Sequence, residues 1–237
     1  MFGFSKRGKV STNSSDFTGV INEVRGALSG HQGGKAVGLV SGTRVATSKG
    51  WCPVEKVAIG DSVLTFDAGL QVVIAASHNL IWDRDEPCPK ALWPLLVPSG
   101  SIGNIDETLL LPDQAVMVKT PRSVAQQGMS TALISASALV GWRGIRRVIP
   151  SIPVEGFTIY FASNQVVLAN IGLQFLCSAQ RSQALSNGSL RNAVAYDVLT
   201  PEKARVLVKN LEFEDQQTGA TTKPITPKDR IYAAFAV

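Results

Sequence analysis

The feature that most constrains this chain is its texture between Gly38 and Cys177. Apolar residues come there in short runs, and each run is broken by a turn signal. Thr43–Thr47, Val63–Phe66, Leu109–Leu111, Ala115–Val118, Phe157–Phe161 and Val166–Ala169 are strand-like. Ser48-Lys49-Gly50, Gly60-Asp61 and Asp67-Ala68-Gly69 divide them. A packed helix needs a longer stretch with apolar residues recurring every three to four positions. The fold class is therefore mainly β, an all-β core of short strands. Two segments interrupt it. Residues 83–107, with Pro87, Pro89, Pro94 and Pro98, read as a long insertion, and Thr131 to Leu139 reads as a short helix.

The flanks have a different character. Residues 1–14 are polar and basic. Phe17, Ile21, Val24 and Leu28 then form one helical stripe, with Ser15 or Asp16 as cap and Gly30 as stop. His31 to Lys35 reads as a linker. Beyond Cys177, Thr200-Pro201 is a helix start, with Thr as cap and Pro at the first position. Ala204, Leu207 and Leu211 give that helix one apolar stripe. Gln216 to Lys228 is polar, and the chain ends on the apolar segment Ile231–Val237. Three regions follow: a basic arm with an amphipathic helix over 1–35, a β domain over 36–178, and a carboxyl-terminal extension over 179–237. Short helices belong to the two extensions. An apolar stripe or apolar end needs a surface to lie on. Lys6, Arg7, Lys9, Phe17, Ile21, Val24, Leu28, Ile231, Tyr232 and Phe235 are thus the candidate partner contacts.

Composition excludes several classes of function. With 237 residues the chain buries a sizeable core without disulfides or metal. Cys52, Cys88 and Cys177 are odd in number and widely spaced, which fits buried free thiols and not a disulfide framework. With His31 and His78 as its two histidines, the chain assembles no Cys/His zinc pattern. No metal or cofactor is expected. The net charge of +5 owes much to Lys6, Arg7 and Lys9, a solvated tail or a contact for an acidic partner surface. No aromatic–basic interleaving marks a nucleic-acid site. The start lacks the apolar core of a signal peptide, and no run is long enough to span a bilayer. Synthesis in the cytoplasm is expected. At 45% hydrophobic and 17% charged residues, the chain is apolar enough to keep some surface for a partner.

An ordered series of segments resembles the opening of bacterial Hint (Hedgehog/intein) domains. It runs Ser41-Gly42-Thr43-Arg44-Val45-Ala46-Thr47-Ser48-Lys49-Gly50, then Pro53-Val54-Glu55-Lys56-Val57, then Ile59-Gly60-Asp61-Ser62-Val63-Leu64-Thr65. Two later segments fit as well. Leu111-Pro112-Asp113-Gln114-Ala115-Val116-Met117-Val118 is similar to the segment that carries a catalytic His. Asn164 to Leu173 is similar to the terminal strand pair, which often opens with a His and ends on a Gly. The resemblance covers roughly residues 36–178 and implies the all-β Hint fold. It also implies a chemistry: an amino-terminal Cys or Ser attacks the preceding carbonyl, and a nearby His protonates the departing nitrogen.

The matching positions here lack those groups. The nucleophile's place falls on Gly38, the His place on Gln114, its companion Ser or Thr on Leu111, and the later His on Asn164. The resemblance therefore implies a fold without its chemistry. Ser41 is the rescue candidate for a nucleophile, beside its plainer reading as a turn residue, and His78 is the rescue candidate for a base. Cys177 reads as a buried thiol. Weaker patterns are Asp83, Asp85 and Glu86, a solvated acidic turn or a cation cluster without calcium-loop spacing; Gly100-Ser101-Ile102-Gly103, which lacks the Lys-Ser/Thr of a phosphate loop; and Arg143, Arg146 and Arg147 around Trp142, a solvated rim or a site for an anion or acidic partner. Two functions are in contention. One is a non-catalytic structural or interaction subunit that meets copies of itself or neighbouring subunits in a larger assembly, of which a phage-like virion or tail is one kind. The other is atypical self-processing through Ser41. Neither takes a small-molecule substrate.

Overall fold

Alternating burial turns the short apolar runs into strands. Along Ser62–Thr65, Val63 and Thr65 face inward while Ser62 and Leu64 stay half out. The same period of two governs Ala115–Lys119 and Leu173–Cys177. The computed structural model describes residues 36–126, 128–179 and 196–219. The expected amino-terminal helix, with Lys6, Arg7, Lys9, Phe17, Ile21, Val24 and Leu28, lies outside the described residues. So does the apolar end with Ile231, Tyr232 and Phe235.

In chain order the elements are β1 (Leu39–Val40), β2 (Arg44–Thr47), β3 (Gly50–Pro53), β4 (Ser62–Thr65), β5 (Gly69–Val72), β6 (Ala75–Trp82), β7 (Leu95–Val97), β8 (Thr108–Leu110) and β9 (Ala115–Lys119). Then come α1 (Arg122–Ala125), β10 (Thr131–Ser135), β11 (Arg146–Arg147), β12 (Val154–Tyr160), β13 (Gln165–Ala169), β14 (Leu173–Cys177) and α2 (Pro201–Thr218). The largest sheet has the order β10-β9-β14-β13-β2-β4-β5, with β3 added on β2. A second sheet is β1-β12-β6 and a third is β11-β7-β8. All pairings between these strands are antiparallel, and the fold is mainly β as expected. One main core joins the sheets, with Leu95, Ile134, Leu139, Ile145, Ile159, Phe161 and Phe175 at or near zero exposure.

Two local expectations fail for the same reason. Thr131 to Leu139 is a strand followed by a 3-10 turn over Ala136–Leu139, not a helix. A short apolar run has no period of its own, and five rows of pairing with β9 decide its form. Residues 83–107 do not hang off the core as an insertion. They supply β7, whose Leu95 and Val97 are fully buried and which pairs with both β8 and β11.

The helix α2 begins as expected, with Thr200 as cap and Pro201 at its first position, and it ends at Gly219 with φ +61°. Ala204, Leu207, Val208 and Leu211 are buried and join the main core, while Val206 and Phe213 of the same helix are exposed. Leu199 N–H donates to the Leu133 carbonyl at 2.8 Å just before the helix, so the chain enters it alongside β10. No helix among the described residues is long and apolar enough to cross a membrane. Of the three thiols, Cys177 is buried while Cys52 and Cys88 are only half-buried, because their strand edge and Pro-rich loop lie at the surface.

Candidate functional site

The structure brings Gly38 and Gln114 together across 76 residues of sequence. Gly38 precedes β1 and has φ +124°, a conformation suited to glycine. A Cβ placed there would lie 3.1 Å from the Phe157 carbonyl oxygen and 3.2 Å from its nitrogen. This tightness follows from register, since β1 lies on β12 with Leu39 opposite Phe157. Across the interface, a Cβ on Gly156 would meet the Val37 carbonyl oxygen at 2.9 Å. The Val37–Gly38 peptide is thus pressed between two glycine positions with little room for a side chain.

Gln114 fixes that peptide from the other side. Its Oε1 accepts the Gly38 N–H at 3.1 Å, and its Nε2 donates to the Ala115 and Leu176 carbonyls, each at 3.0 Å. The side chain is 3% exposed, and both ends of its carboxamide have partners. Next to it, Asp113 accepts the Ala36 N–H at 2.8 Å on Oδ2, and its own N–H donates to the Ala36 carbonyl at 3.1 Å. Ala36, Leu111 and Val154 form a small apolar cluster beneath this point. Leu111, the residue expected at the companion Ser or Thr place, is fully buried and packs in this cluster.

Asn164 does not join this pair in any hydrogen bond. Its Oδ1 accepts the Ala179 N–H at 2.9 Å and ties off the chain after β14. Cys177 lies on β14 opposite Gln165. Burial pushes its thiol up to about 12, so it stays protonated and is no nucleophile near neutral pH.

The two rescue candidates are not brought together either. Val40 to Thr43 form a turn closed by Thr43 N–H donating to the Val40 carbonyl at 3.0 Å, with φ +82° at Gly42. Ser41 is the exposed second residue of this turn. Glu55 steadies it by accepting the Gly42 N–H at 3.0 Å. Ser41 lines a cleft of about 510 Å³ with Arg44, Asp106, Asn170 and Ile171 among its walls. His78 sits on β6, separated from β1 by β12. Its ring stacks on Phe157 at 4.5 Å, and its Nε2 is 3.4 Å from a Glu155 carboxylate oxygen.

The charged patterns are used inside the molecule. Arg143 finds its acidic partner in Asp215 of α2, with Nη2 and Nε 2.6 Å and 2.8 Å from the carboxylate oxygens. The guanidinium lies over the Trp142 ring at 4.4 Å, and Trp142 Nε1 donates to the same carboxylate at 2.9 Å. Arg143 is therefore neither a solvated rim residue nor a free anion site. Arg147 donates to the carbonyls of Lys90, Ala91 and Trp93. Arg146 is exposed on β11. In the acidic turn, Asp83 accepts the Asp85 N–H at 3.2 Å and Glu86 is exposed. The described residues contain no group of three or more His, Cys, Asp or Glu placed to hold a metal ion. In the Gly100–Gly103 turn, Ser101 is fully buried and donates to the Arg143 carbonyl at 3.1 Å, and Gly103 packs on the backbone of Gly172.

Sequence reasoning missed Asp113 and Gly156. Asp113 sits beside Gln114 with no pattern to mark it. Gly156 lies just before the Phe157–Phe161 run, and only the longer strand Val154–Tyr160 puts it where a lone glycine signals close approach of another backbone.

Comparison with known proteins places most of the described chain in a family. Residues 37–174 match the Hint domain. No curated protein matches. Among solved structures, the chain is similar to a splice-inactive variant of the AceL NrdHF class 3 split intein, at 14% identity, over 60% of this chain and 98% of that one, with a TM-score of 0.38. It is similar to a bacterial intein-like domain from Clostridium thermocellum at 14% identity, over 59% and 96% of the two chains, with a TM-score of 0.39. It is also similar to the MchDnaB-1 intein at 17% identity, over 57% and 98%, with a TM-score of 0.34.

Proposed function

The chain belongs to the Hint domain family, and from that premise we propose that it is a non-processing member, a structural or interaction module that keeps the fold without the self-cleavage chemistry. The observation that carries this reading is the Gly38–Gln114 contact. Acyl shift needs a nucleophile on the residue after the scissile carbonyl and a proton donor to the departing nitrogen. Gly38 has no side chain, and its φ and its crowding by Phe157 disfavour one. Gln114 presents its oxygen to the Gly38 nitrogen, so it accepts where chemistry needs a donor. Its amide does not exchange a proton near neutral pH. Together the two hold the Val37–Gly38 peptide in place as structure.

Self-processing through Ser41 finds less support. The hydroxyl stands on an exposed turn, and His78 is engaged with Phe157 and Glu155 across a strand. Intact mass of the denatured full chain separates the two readings. A single uncut mass, unchanged on adding thiol, is expected. A break between residues 37 and 41 would overturn the non-processing reading.

A further inference from the structure

An interaction module needs a surface, and β5 offers one. It ends the largest sheet, with β4 on one side and no strand among the described residues on the other. The hydrogen-bonding parity of this edge can be worked out. Val73 N–H donates to the Asp61 carbonyl at 2.9 Å, so the Asp61–Val73 pair is a bonded one. Bonded and non-bonded pairs alternate along an antiparallel ladder. Val63–Gln71 and Thr65–Gly69 therefore bond toward β4, and the peptide groups of Leu70 and Val72 point out from the sheet. The far side of β4 agrees, because the Ser62 carbonyl accepts from Ser48 N–H and so points away from β5.

The side chains on the open face of this edge, Leu70 and Val72, are apolar. Leu70 and Val72 are 51% and 52% exposed, and Phe66 and Ile59, at the two ends of the hairpin, are 47% and 68% exposed. From Gly69 to Ile74 there is no charged residue and no proline. Proteins commonly protect an edge with lysine, proline or a bulge. From Gly69 to Val72 this edge has neither lysine nor proline and keeps an unbroken register with β4; the one irregularity, Gly60 and Asp61 both bonding Val73, lies on the inner strand beyond it.

We propose that β5 docks onto β5 of a second copy of this chain, antiparallel about a two-fold axis through Gln71, so that the large sheet continues into the partner. This names a partner for the role proposed above and rests on that reading. The symmetry fits the parity. Leu70 falls opposite the partner's Val72, and Val72 opposite the partner's Leu70. Each outward N–H then meets an outward carbonyl, and each apolar side chain meets an apolar one. A charge-free edge also brings two copies together without opposing like charges. The contact is short, one four-residue strand from each copy, so the dimer is weak and concentration-dependent.

Sedimentation velocity on the full chain over a rising concentration series tests this. A monomer–dimer equilibrium is expected, at least ten-fold weakened by Leu70→Lys and unchanged by Leu80→Lys on the edge of the other sheet. Val72→Lys serves if Leu70→Lys melts early by circular dichroism. Gln71→Cys gives a direct reading of the axis. Residues facing each other in a non-bonded antiparallel pair have Cα atoms about 4.5 Å apart, within disulfide reach. Gln71→Cys should cross-link on mild oxidation, beyond both the wild type with its own thiols and a Leu80→Cys control. A monomer at every concentration, a dimer indifferent to Leu70→Lys and Val72→Lys, or equal cross-linking at positions 71 and 80 would overturn the proposal. Intact mass on the same samples reads the non-processing role separately. An uncut monomer refutes only the dimer, and a cut chain refutes the non-processing role whatever its oligomeric state.

Discussion

Gly38 and Gln114 are joined by a hydrogen bond that spans 76 residues of sequence. A side chain at position 38 faces two penalties, a positive φ and contact with the backbone of Phe157. Gly50 separates them, since it has φ +103° and nothing within 4 Å of the place a Cβ would take. Gly50→Ala should cost the conformational part alone, about 1–3 kcal/mol. Gly38→Ala should cost that plus a further ~1–3 kcal/mol for overpacking, read as the difference in denaturant midpoints. Equal costs would show that the Phe157 contact relaxes freely. Gln114→Leu should be worse than a loss of volume suggests. It strands the Gly38 N–H and the Leu176 carbonyl, each worth about 1–3 kcal/mol when buried without a partner. A drop under about 1 kcal/mol in chemical denaturation would mean that water replaces the carboxamide.

At the scale of elements, α2 is the informative piece. It was legible as a helix because its signals are local: Thr200, Pro201 and a stripe repeating every three to four residues. Its destination was not legible, because Arg143 and Asp215 lie 72 residues apart. The Arg143 guanidinium, with Trp142 adding a hydrogen bond, holds the Asp215 carboxyl below the usual carboxylate range, against a smaller opposing effect of burial. A carboxyl lowered in the folded state gives stability that is present above its unfolded value and lost as pH falls through its folded one. The acid limb below about pH 4 should therefore flatten in Asp215→Asn, with about 1.5–3 kcal/mol lost at neutral pH from the charge-assisted bonds. Thermal melts of both proteins from neutral pH down through the acid limb check this, and parallel acid limbs would remove Asp215 from the account. Strand β10 shows the opposite limit. Thr131 to Ser135 has no helical or strand period strong enough to choose, and β9 chooses for it.

At the scale of the whole molecule, family and fold class were readable from an ordered series of turns and strands, because each turn needs particular residues at particular places. That Gly38 and Gln114 carry neither a nucleophile nor a titrating group was readable too, since a missing side chain is visible in a sequence. Asn164 shows where such reading stops. Its place was legible and its work was not, because bonding Ala179 depends on where the chain goes after β14. The Pro-rich stretch around β7 misled for a related reason: prolines announce irregular backbone but say nothing of what pairs beyond it. By itself, then, the sequence determined the glycines that turn, the capped helix and the alternation that marks strands, all set by forces within a few residues. Tertiary structure alone decided that Gly38 rests on Gln114, that Arg143 is spent on Asp215 and that β5 ends the large sheet among the described residues. Those outcomes depend on register between strands distant in the chain, and register is settled only when the sheets bury their faces together.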